Sequence, residues 1–234
     1  MRIGVIADVH SNIVALDTML DVFASANVDC ICCLGDIIGI GPYPEEIVQR
    51  MKKIPNLYCV YGNHEEYFMK RNYEHMRQEE ALFHMWEHNL LSKDSTNWIT
   101  SLPKCINKVF DKVSCTIMHY GNDYKAMLLN PTGEQLVSLF ANVDSQLVLY
   151  GHVHTPSIVQ YQNRWFINPG SLGCPGIDKN ICRGVIVNIN DENISWEVLE
   201  VPYAVNEVLQ HMEEVNCPAI KTIQTMFYGK EKQL

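Results

Sequence analysis

Residues 1–36 read MRIGVIADVHSNIVALDTMLDVFASANVDCICCLGD, and the order of their patterns decides the fold. Residues 2–7 are an apolar run, residues 12–26 carry apolar side chains at helical spacing, and residues 29–34 form a second apolar run. Two buried strands joined by an amphipathic helix indicate a parallel pair with a helical crossover. The sequence therefore predicts an α/β protein.

The pattern continues outward from this unit. Residues 45–53 are predicted as a helix and residues 57–61 as a third strand. Residues 65–102 are helical and rich in methionine, histidine and aromatic residues. Strand-like runs dominate afterwards, with one helix at 133–141 and another at 204–215. We predict two mixed sheets packed face to face and flanked by helices, a four-layer α-β-β-α sandwich.

We expect one domain over residues 1–234. It would carry a helical insert at about 65–102 and a C-terminal helical segment at about 204–234. Hairpin turns are predicted at residues 122–123, 163 and 191–193.

Composition excludes several classes of protein. The 234 residues are 47% hydrophobic and 19% charged, which is ordinary for a globular chain. Acidic residues (27) outnumber basic ones (18) and no basic run occurs, so long nucleic acid is not an expected partner. No apolar run approaches the roughly 20 residues that span a bilayer, so no membrane is expected either. The nine scattered cysteines predict reduced thiols in a cytoplasmic protein.

Five short polar clusters follow strand-like runs. Residues two apart in an extended chain point the same way, which pairs Asp8 with His10 and His152 with His154. Loops at the carboxyl ends of parallel strands are where open α/β sheets bind ligands. The clusters are Asp8-Val9-His10, Gly35-Asp36, Gly62-Asn63-His64-Glu65, Met118-His119-Tyr120-Gly121 and Gly151-His152-Val153-His154.

These clusters supply seven oxygen and nitrogen donors, which exceeds what one ion needs. They suit two divalent ions if one carboxylate bridges them. Because no cysteine is among them, the set argues against structural zinc and favours hydrolytic ions such as Mn²⁺, Fe²⁺ or Zn²⁺. The seven donors are Asp8, His10, Asp36, Asn63, His119, His152 and His154.

The ordered set Asp-x-His, Gly-Asp-x-x-Gly, Gly-Asn-His-Glu, a histidine before glycine and Gly-His-x-His resembles the calcineurin-like metallophosphoesterase superfamily. The resemblance runs from Asp8 to the turn at residues 168–171. Residues 39–44 and 91–103 are similar to its small single-domain prokaryotic members of the phosphodiesterase type. The resemblance implies two mixed sheets flanked by helices and a dinuclear metal centre.

The resemblance also implies a role for each donor. One ion would be held by Asp8, His10 and His154. The other ion would be held by Asn63, His119 and His152. Asp36 would bridge the two. Manganese is the expected metal, with Fe²⁺, Zn²⁺, Ni²⁺ and Co²⁺ as alternatives.

Two further residues are candidates for contact with the substrate. In the family, a hydroxide between the ions attacks phosphorus in line, and His64 would stabilise or protonate the departing oxygen. Asn12 is either a phosphate contact or the N-cap of the first helix. Ile37 and Ile38 follow Asp36 where protein Ser/Thr phosphatases and symmetric diadenosine tetraphosphate hydrolases carry a phosphate-clamping arginine. Those two subfamilies are therefore disfavoured, and the source of any such arginine stays open.

We predict a dinuclear-metal-dependent phosphoesterase that hydrolyses phosphodiester or phosphoanhydride bonds of a small phosphorylated substrate. One alternative is an asymmetric dinucleoside polyphosphate hydrolase, acting on diadenosine tetraphosphate. Another is a non-catalytic scaffold like the retromer subunit, which would be expected to lack some of the donors or His64. A nuclease acting on DNA ends would need further domains and a basic surface. The physiological substrate is left open, as is a homo-oligomeric state.

The helical insert carries other polar and apolar residues. His84 and His88 are four apart, but not in the His-Glu-x-x-His order of zinc proteases, so we interpret them as a solvated or lid-facing pair. The methionines and aromatic residues of the insert form either a substrate lid or a packed core.

Overall fold

The computed structural model describes residues 1–71, 73–74, 76–121, 124, 127–174, 176–178 and 180–229. Within them lie ten strands and eight helices. The strands are β1 (Arg2–Ile6), β2 (Cys30–Cys33), β3 (Leu57–Cys59), β4 (Cys105–Phe110), β5 (Val113–Met118), β6 (Leu147–Leu149), β7 (Ser157–Tyr161), β8 (Arg164–Asn168), β9 (Ile181–Asn190) and β10 (Asn193–Pro202). The helices are α1 (Ile13–Ser25), α2 (Pro44–Met51), α3 (Asn63–Lys70), α4 (Gln78–Leu90), α5 (Lys93–Ser101), α6 (Gly133–Leu139), α7 (Val205–Glu214) and α8 (Ile220–Phe227).

The strands form two mixed five-stranded sheets. The first sheet has the order β10-β9-β1-β2-β3, and the second has the order β4-β5-β6-β8-β7. Each sheet has three parallel strands, β1-β2-β3 in one and β5-β6-β8 in the other, with antiparallel strands on their flanks. The parallel strands matter for the site because their carboxyl ends lie at the same edge.

The two sheets pack face to face, and helices cover their outer faces. Along β1, Ile3 and Val5 pack against the second sheet, while Ile6 packs under the helices. This alternation follows the two-residue period of a strand. On the far side of the second sheet, Leu136 and Phe140 of the α6 segment cover the strands. The observed architecture is the predicted four-layer sandwich.

The sequence predictions for the first sixty residues are confirmed, since strands and helices alternate in the predicted order. The turns at residues 163 and 191–193 are confirmed as hairpins by the pairing of β7 with β8 and of β9 with β10. The turn predicted at 122–123 lies outside the described residues, as do residues 230–234 of the C-terminal segment. In the part of the chain that the structure describes, no helix has the length and apolar character needed to cross a membrane.

Candidate metal centre

Two loops at the ends of neighbouring parallel strands form the floor of the candidate site. Asp8 and His10 follow β1, and Asp36 follows β2. The Asp8 N–H donates to the Gly35 carbonyl at 3.1 Å, and the His10 N–H donates to the Asp36 carbonyl at 2.9 Å. Asp8, His10 and Asp36 have φ angles of +53°, +49° and +50°, a region that non-glycine residues seldom adopt. Such strained residues cluster at functional sites, where the surrounding structure holds them in place.

The first donor group consists of Asp8, His10 and His154. Asp8 Oδ1 lies 4.0 Å from His10 Nε2 and 3.7 Å from His154 Nε2, and the two ring nitrogens are 3.2 Å apart. Asp8 is fully buried, and its Oδ1 has no hydrogen-bond partner among the described residues. An unpaired buried carboxylate oxygen is costly unless a cation offsets it. The chemistry of this group therefore fits a divalent cation.

Cys174 lies beside the first donor group, and its position there was not predicted. Its sulfur lies within 4.8 Å of the ligand atoms of His10 and His154. The Gly173 N–H donates to the Asp8 carbonyl at 3.0 Å, which brings the loop after β8 against the loop after β1. Burial raises the pKa of the Cys174 thiol well above its ordinary value. A thiol that keeps its proton is a poor metal ligand, because the thiolate is the binding form.

The second donor group consists of Asn63, His119, His152 and Asp36. Asn63 Oδ1 lies 3.0 Å from His119 Nε2 and 2.8 Å from His152 Nδ1. His119 Nε2 also lies 3.3 Å from Asp36 Oδ2. Main-chain carbonyls contact the other nitrogen of each ring, at 2.8 Å for His119 and at 2.7 Å for His152. Such carbonyls fix the orientation of a histidine that binds metal through its remaining nitrogen.

Asp36 lies between the two donor groups. Its carboxylate is within 4.8 Å of a ring nitrogen of His10 and, on the other side, of those of His119 and His152. The structure thus brings the seven donors named from the sequence together at one edge of the two sheets. They come from loops after β1, β2, β3, β5 and β6, which are all parallel strands of their sheets.

Burial and neighbouring charges set the protonation of the donors. Burial raises the pKa of Asp8 to about 8, lowers that of His154 to about 4, and lowers that of His10 well below its ordinary value. Burial acts against the charge on Asp36 too, but His119, His64 and His10 together outweigh it and hold the pKa of Asp36 well below its usual range. In turn Asp36 raises the pKa of His119 to about 9 against the effect of burial. Histidine binds metal in its neutral form, so a cation here would displace the proton of His119.

Four buried carboxylates lie in this region, each at most 2% exposed: Asp8, Asp36, Glu65 and Glu87. Within the described part of the chain, none of them has a lysine or arginine nitrogen within 4 Å. The ion-pair partners of Asp8, Asp36 and Glu87 are histidines. Buried charge of one sign without a fixed counter-charge is unfavourable in a protein interior. This cluster of buried carboxyl groups, with no lysine or arginine beside them, is a second observation that fits divalent cations.

Glu65 holds the loop of Asp36 in place, a role that the sequence analysis did not assign. Its Oε2 accepts the N–H groups of Asp36 (2.9 Å) and Gly62 (2.8 Å). Its Oε1 accepts the N–H groups of Ile37 (2.8 Å) and Ile38 (2.9 Å). Burial raises the pKa of Glu65 to about 7, and the N–H groups of Ile38 and Gly62 act against this shift because they favour the charged carboxylate. The sequence does carry a signal for part of this role. Glu65 is the third residue of α3, a position where the glutamate side chain commonly accepts the N–H of the N-cap residue.

His64 lies next to the donors. Its main-chain N–H donates to Asp36 Oδ1 at 2.9 Å, and its ring packs edge-on against His10 with 4.9 Å between centroids. The ring nitrogen Nδ1 is buried and has no hydrogen-bond partner in the described part of the chain. Burial lowers the pKa of His64, so the ring is neutral at neutral pH. The His64 ring also lies within 4.8 Å of ligand atoms of His10 and Asp36.

Helix α4 packs two polar residues behind His64. His84 is only 2% exposed, so the interpretation of His84 as a solvated residue is wrong. Its ring centroid is 5.7 Å from that of His64. Glu87 is fully buried, and its Oε1 accepts the N–H of Gly39 at 2.5 Å. Glu87 follows the buried Phe83 by four residues, so helical spacing alone placed it on the inner face of α4.

Asn12 lies beneath the loop of Asp8 with its side-chain amide fully engaged. Its Oδ1 accepts the Ala15 N–H at 3.0 Å and caps α1. Its Nδ2 donates to the Gly173 carbonyl at 2.9 Å and to the Tyr203 hydroxyl at 3.2 Å. These contacts favour the N-cap interpretation of Asn12 over contact with phosphate.

Comparison with known proteins identifies one matching family model and one similar sequence. A model of the calcineurin-like phosphoesterase superfamily domain matches residues 1–192. An uncharacterized protein of Methanocaldococcus jannaschii is 24% identical over 232 residues, with 92% of this chain and 93% of that protein covered.

Two solved structures share the fold over nearly the whole chain. The metallophosphoesterase from Sphaerobacter thermophilus has a TM-score of 0.78 and 24% identity, with 98% of this chain and 99% of that chain covered. A hypothetical protein from Pyrococcus horikoshii has a TM-score of 0.83 and 16% identity, with 98% and 99% covered.

Proposed function

The chain belongs to the calcineurin-like phosphoesterase superfamily, and on that premise we propose that it is a dinuclear-metal-dependent phosphoesterase. Its reaction is the hydrolysis of phosphodiester or phosphoanhydride bonds in small phosphorylated molecules. The observation that carries the proposal is the position of the Asp36 carboxylate within reach of two donor groups. A carboxylate shared by two cations is the arrangement that two-metal hydrolases need.

The donor groups divide between the two ions. Asp8, His10 and His154 would hold one ion, Asn63, His119 and His152 would hold the other, and Asp36 would contribute to both. When bound, the ions lower the pKa of water and offset the charge of the phosphoryl oxygens. Manganese is the proposed metal, because carboxylate, amide and imidazole donors without thiolate suit ions of its hardness.

The chain's own residues position the substrate and move one proton. In hydrolysis, the oxygen of water forms a new bond to phosphorus, and the ester bond breaks with its electron pair on the departing oxygen. That oxygen takes up a proton and leaves as an alcohol or phosphate. His64 lies next to the donors, so we assign its imidazole to the departing oxygen. Because burial keeps the ring neutral, it would first take up the proton that the attacking water releases and then pass a proton to that oxygen. Asn12 is not assigned to the substrate, because its amide is occupied by the cap and by Gly173 and Tyr203.

The proposal includes the setting of the reaction. All nine cysteines of the chain are described, and all nine are free. Free thiols support a reducing compartment such as the cytoplasm. Residues 1–234 are proposed to act as one domain, in which the helical insert and the C-terminal helices lie around the centre.

Metal content tests the centre directly. The protein is stripped with a chelator, reloaded with Mn²⁺ in excess, and measured by metal analysis and anomalous scattering. We expect two ions roughly 3.5–4 Å apart, the spacing of two-metal hydrolases. A single ion at full occupancy would exclude the dinuclear centre.

Kinetics test the reaction and the role of His64. The loaded protein is assayed against phosphomonoesters, phosphodiesters and diadenosine tetraphosphate, with and without Mn²⁺. His64→Ala is expected to lower kcat by ~10²–10⁴-fold, the usual contribution of positioned proton transfer, with metal content unchanged. In His64→Ala, kcat should fall less for esters with a good leaving group such as nitrophenolate than for esters with a poor leaving group.

His211→Ala is the control, since His211 lies on α7 and its ring stacks on Tyr43 and not on a donor. Equal losses for good and poor leaving groups would exclude the acid role of His64. Loss of metal from His64→Ala would make His64 a ligand. No hydrolysis of any ester class by the loaded protein would favour a non-catalytic scaffold.

A further inference from the structure

A cavity of about 150 Å³ lies beside the candidate metal centre, between α4 and α8. Its walls are mostly apolar, and polar side chains lie among them. We call it the α4–α8 cavity. Its apolar lining consists of Ile40, Phe83, Ala219, Ile223, Met226 and Phe227.

The α4–α8 cavity adjoins the centre at His64. His64 lines the cavity, and its ring also contacts that of His10 at 4.9 Å between centroids. Phe227, on the α8 wall, has its ring centroid 6.2 Å from that of His154. Two residues of the cavity wall therefore contact two of the donors.

The walls come from two helices outside the donor set. Helix α4 lies within residues 1–192, which match the family model, and helix α8 lies beyond them. Thr222 of α8 donates a hydrogen bond from Oγ1 to Glu79 Oε2 of α4 at 2.7 Å, and this bond joins the two walls. The cavity is thus built by side chains other than the seven donors.

We infer that the α4–α8 cavity binds the departing alcohol of the substrate and selects one that carries an apolar ring. The inference rests on the proposed function, because His64 is assigned there to the departing oxygen and the cavity lies on the side of His64. An apolar cavity of about 150 Å³ is large enough to bind benzene. The departing alcohol is therefore an aryl or similarly flat ring group, set between Phe83 and the apolar side of α8.

Charge at the cavity separates this class from dinucleoside polyphosphates. Arg77 lines the cavity together with two carboxylates, those of Glu79 and Glu80. One guanidinium against two carboxylates leaves the lining negative, which opposes an anionic leaving group such as a phosphate chain. An uncharged ring meets no such opposition.

Ring binding can be measured without catalysis. Met226 is 53% exposed on the cavity wall, so Met226→Glu places a charge in the wall while leaving the core intact. Met85→Glu is the matched control, because Met85 of α4 is 54% exposed and does not line the cavity. The probe is 2-naphthol, titrated into metal-free protein and followed by calorimetry. We expect Met226→Glu to weaken binding at least tenfold and Met85→Glu to change it less than twofold.

Kinetics then connect the cavity to the departing group. The substrates are phenyl phosphate against glycerol 2-phosphate, or bis(4-nitrophenyl) phosphate against glycerophosphoethanolamine, according to the ester class that is hydrolysed. Intrinsic reactivity cancels when the ratio of kcat/KM values is compared between variants. Met226→Glu should lower the ratio of ring ester to ring-free ester about tenfold, and Met85→Glu should preserve it.

Each outcome bears on one proposal or the other. Unchanged naphthol binding in Met226→Glu, or an unchanged ratio in an active enzyme, would overturn the cavity assignment and leave the proposed function standing. Preference for diadenosine tetraphosphate over every ring ester would also overturn it. If no ester is hydrolysed by metal-loaded protein, the proposed function fails, whatever the naphthol titration shows.

Discussion

Replacing Gly39 with alanine is expected to impair catalysis by displacing His64 while leaving the proposed ions in place. A Cβ atom on Gly39 would lie 2.2 Å from His64 Nδ1, whereas ordinary contact begins at 3.4 Å. The imidazole would have to move by about 1 Å, and a misplacement of that size can lower the rate by about 10²-fold. Gly39 also has a φ of +88°, so alanine there costs roughly 1–2 kcal/mol in backbone strain.

Substitution of a second glycine distinguishes the displacement of His64 from the backbone strain that alanine causes at a positive φ. Gly176 has a φ of +61°, and a Cβ there would meet no described atom within 4 Å. Gly176→Ala should therefore lose similar stability and keep its turnover. The measurements are kcat with Mn²⁺, metal content, and the free energy of unfolding in denaturant. Two results would contradict the predicted displacement of His64: a kcat of Gly39→Ala within threefold of the unmodified protein, or a loss of activity in Gly176→Ala as large as that in Gly39→Ala.

Three further predictions concern the donors and their support. Asp36→Asn removes the charge that both ions would share. Metal analysis should show weakened metal binding, and kinetics should show turnover reduced by several orders of magnitude. Near-normal turnover with two ions bound would exclude the bridging role of Asp36. Glu65→Gln keeps one acceptor oxygen but turns an NH₂ group toward two main-chain N–H groups. Denaturant titration should therefore show that the free energy of unfolding falls by about 3 kcal/mol. Glu66→Gln, one residue along α3, should lower it by about 0.5 kcal/mol or less. Metal affinity should fall below pH 9 at His119, whose pKa is raised to about 9 by Asp36, and below pH 8 at Asp8, whose pKa is raised to about 8 by burial, because only the deprotonated forms bind metal. That loss is about tenfold per pH unit for one proton, and calorimetric affinities that stay flat from pH 8 to pH 6 would contradict it.

The convergence of the seven candidate donors could be predicted from the sequence, because their positions at strand ends depend on local pattern. Asp8 and Asp36 each follow a short apolar run, and parallel strands bring the ends of such runs to one edge. Neither assignment needs knowledge of side-chain packing. The same holds for the alternation of strands and helices in the first sixty residues, where the apolar periods are clear.

The support of the donors could not be predicted in this way. Glu65 acts by accepting main-chain N–H groups, and those groups converge only because residues 36–38 adopt a particular loop conformation. Cys174 reaches the first donor group because the loop after β8 bonds to the loop after β1, more than 160 residues away in the chain. The prediction that His84 is solvated was wrong for a related reason. Its burial depends on how α4 packs against α3, which the spacing of two histidines does not encode.

The positions of the donors and the shape of the α4–α8 cavity therefore depend on different parts of the sequence. The donors lie on loops held by hydrogen bonds between neighbouring strands and by the Glu65 carboxylate of α3, so their positions follow from sheet topology and from that one helical side chain. The cavity is bounded by side chains of two helices, and a change of one methylene group in such a wall alters its volume. Selection for a different substrate would consequently act first on Phe83, Ile223 and Met226, while Asp8 and Asp36 stay fixed by the chemistry of the ions. Substrate class should for this reason be sought in the helices that flank the centre, and reaction type in the loops at the ends of the strands.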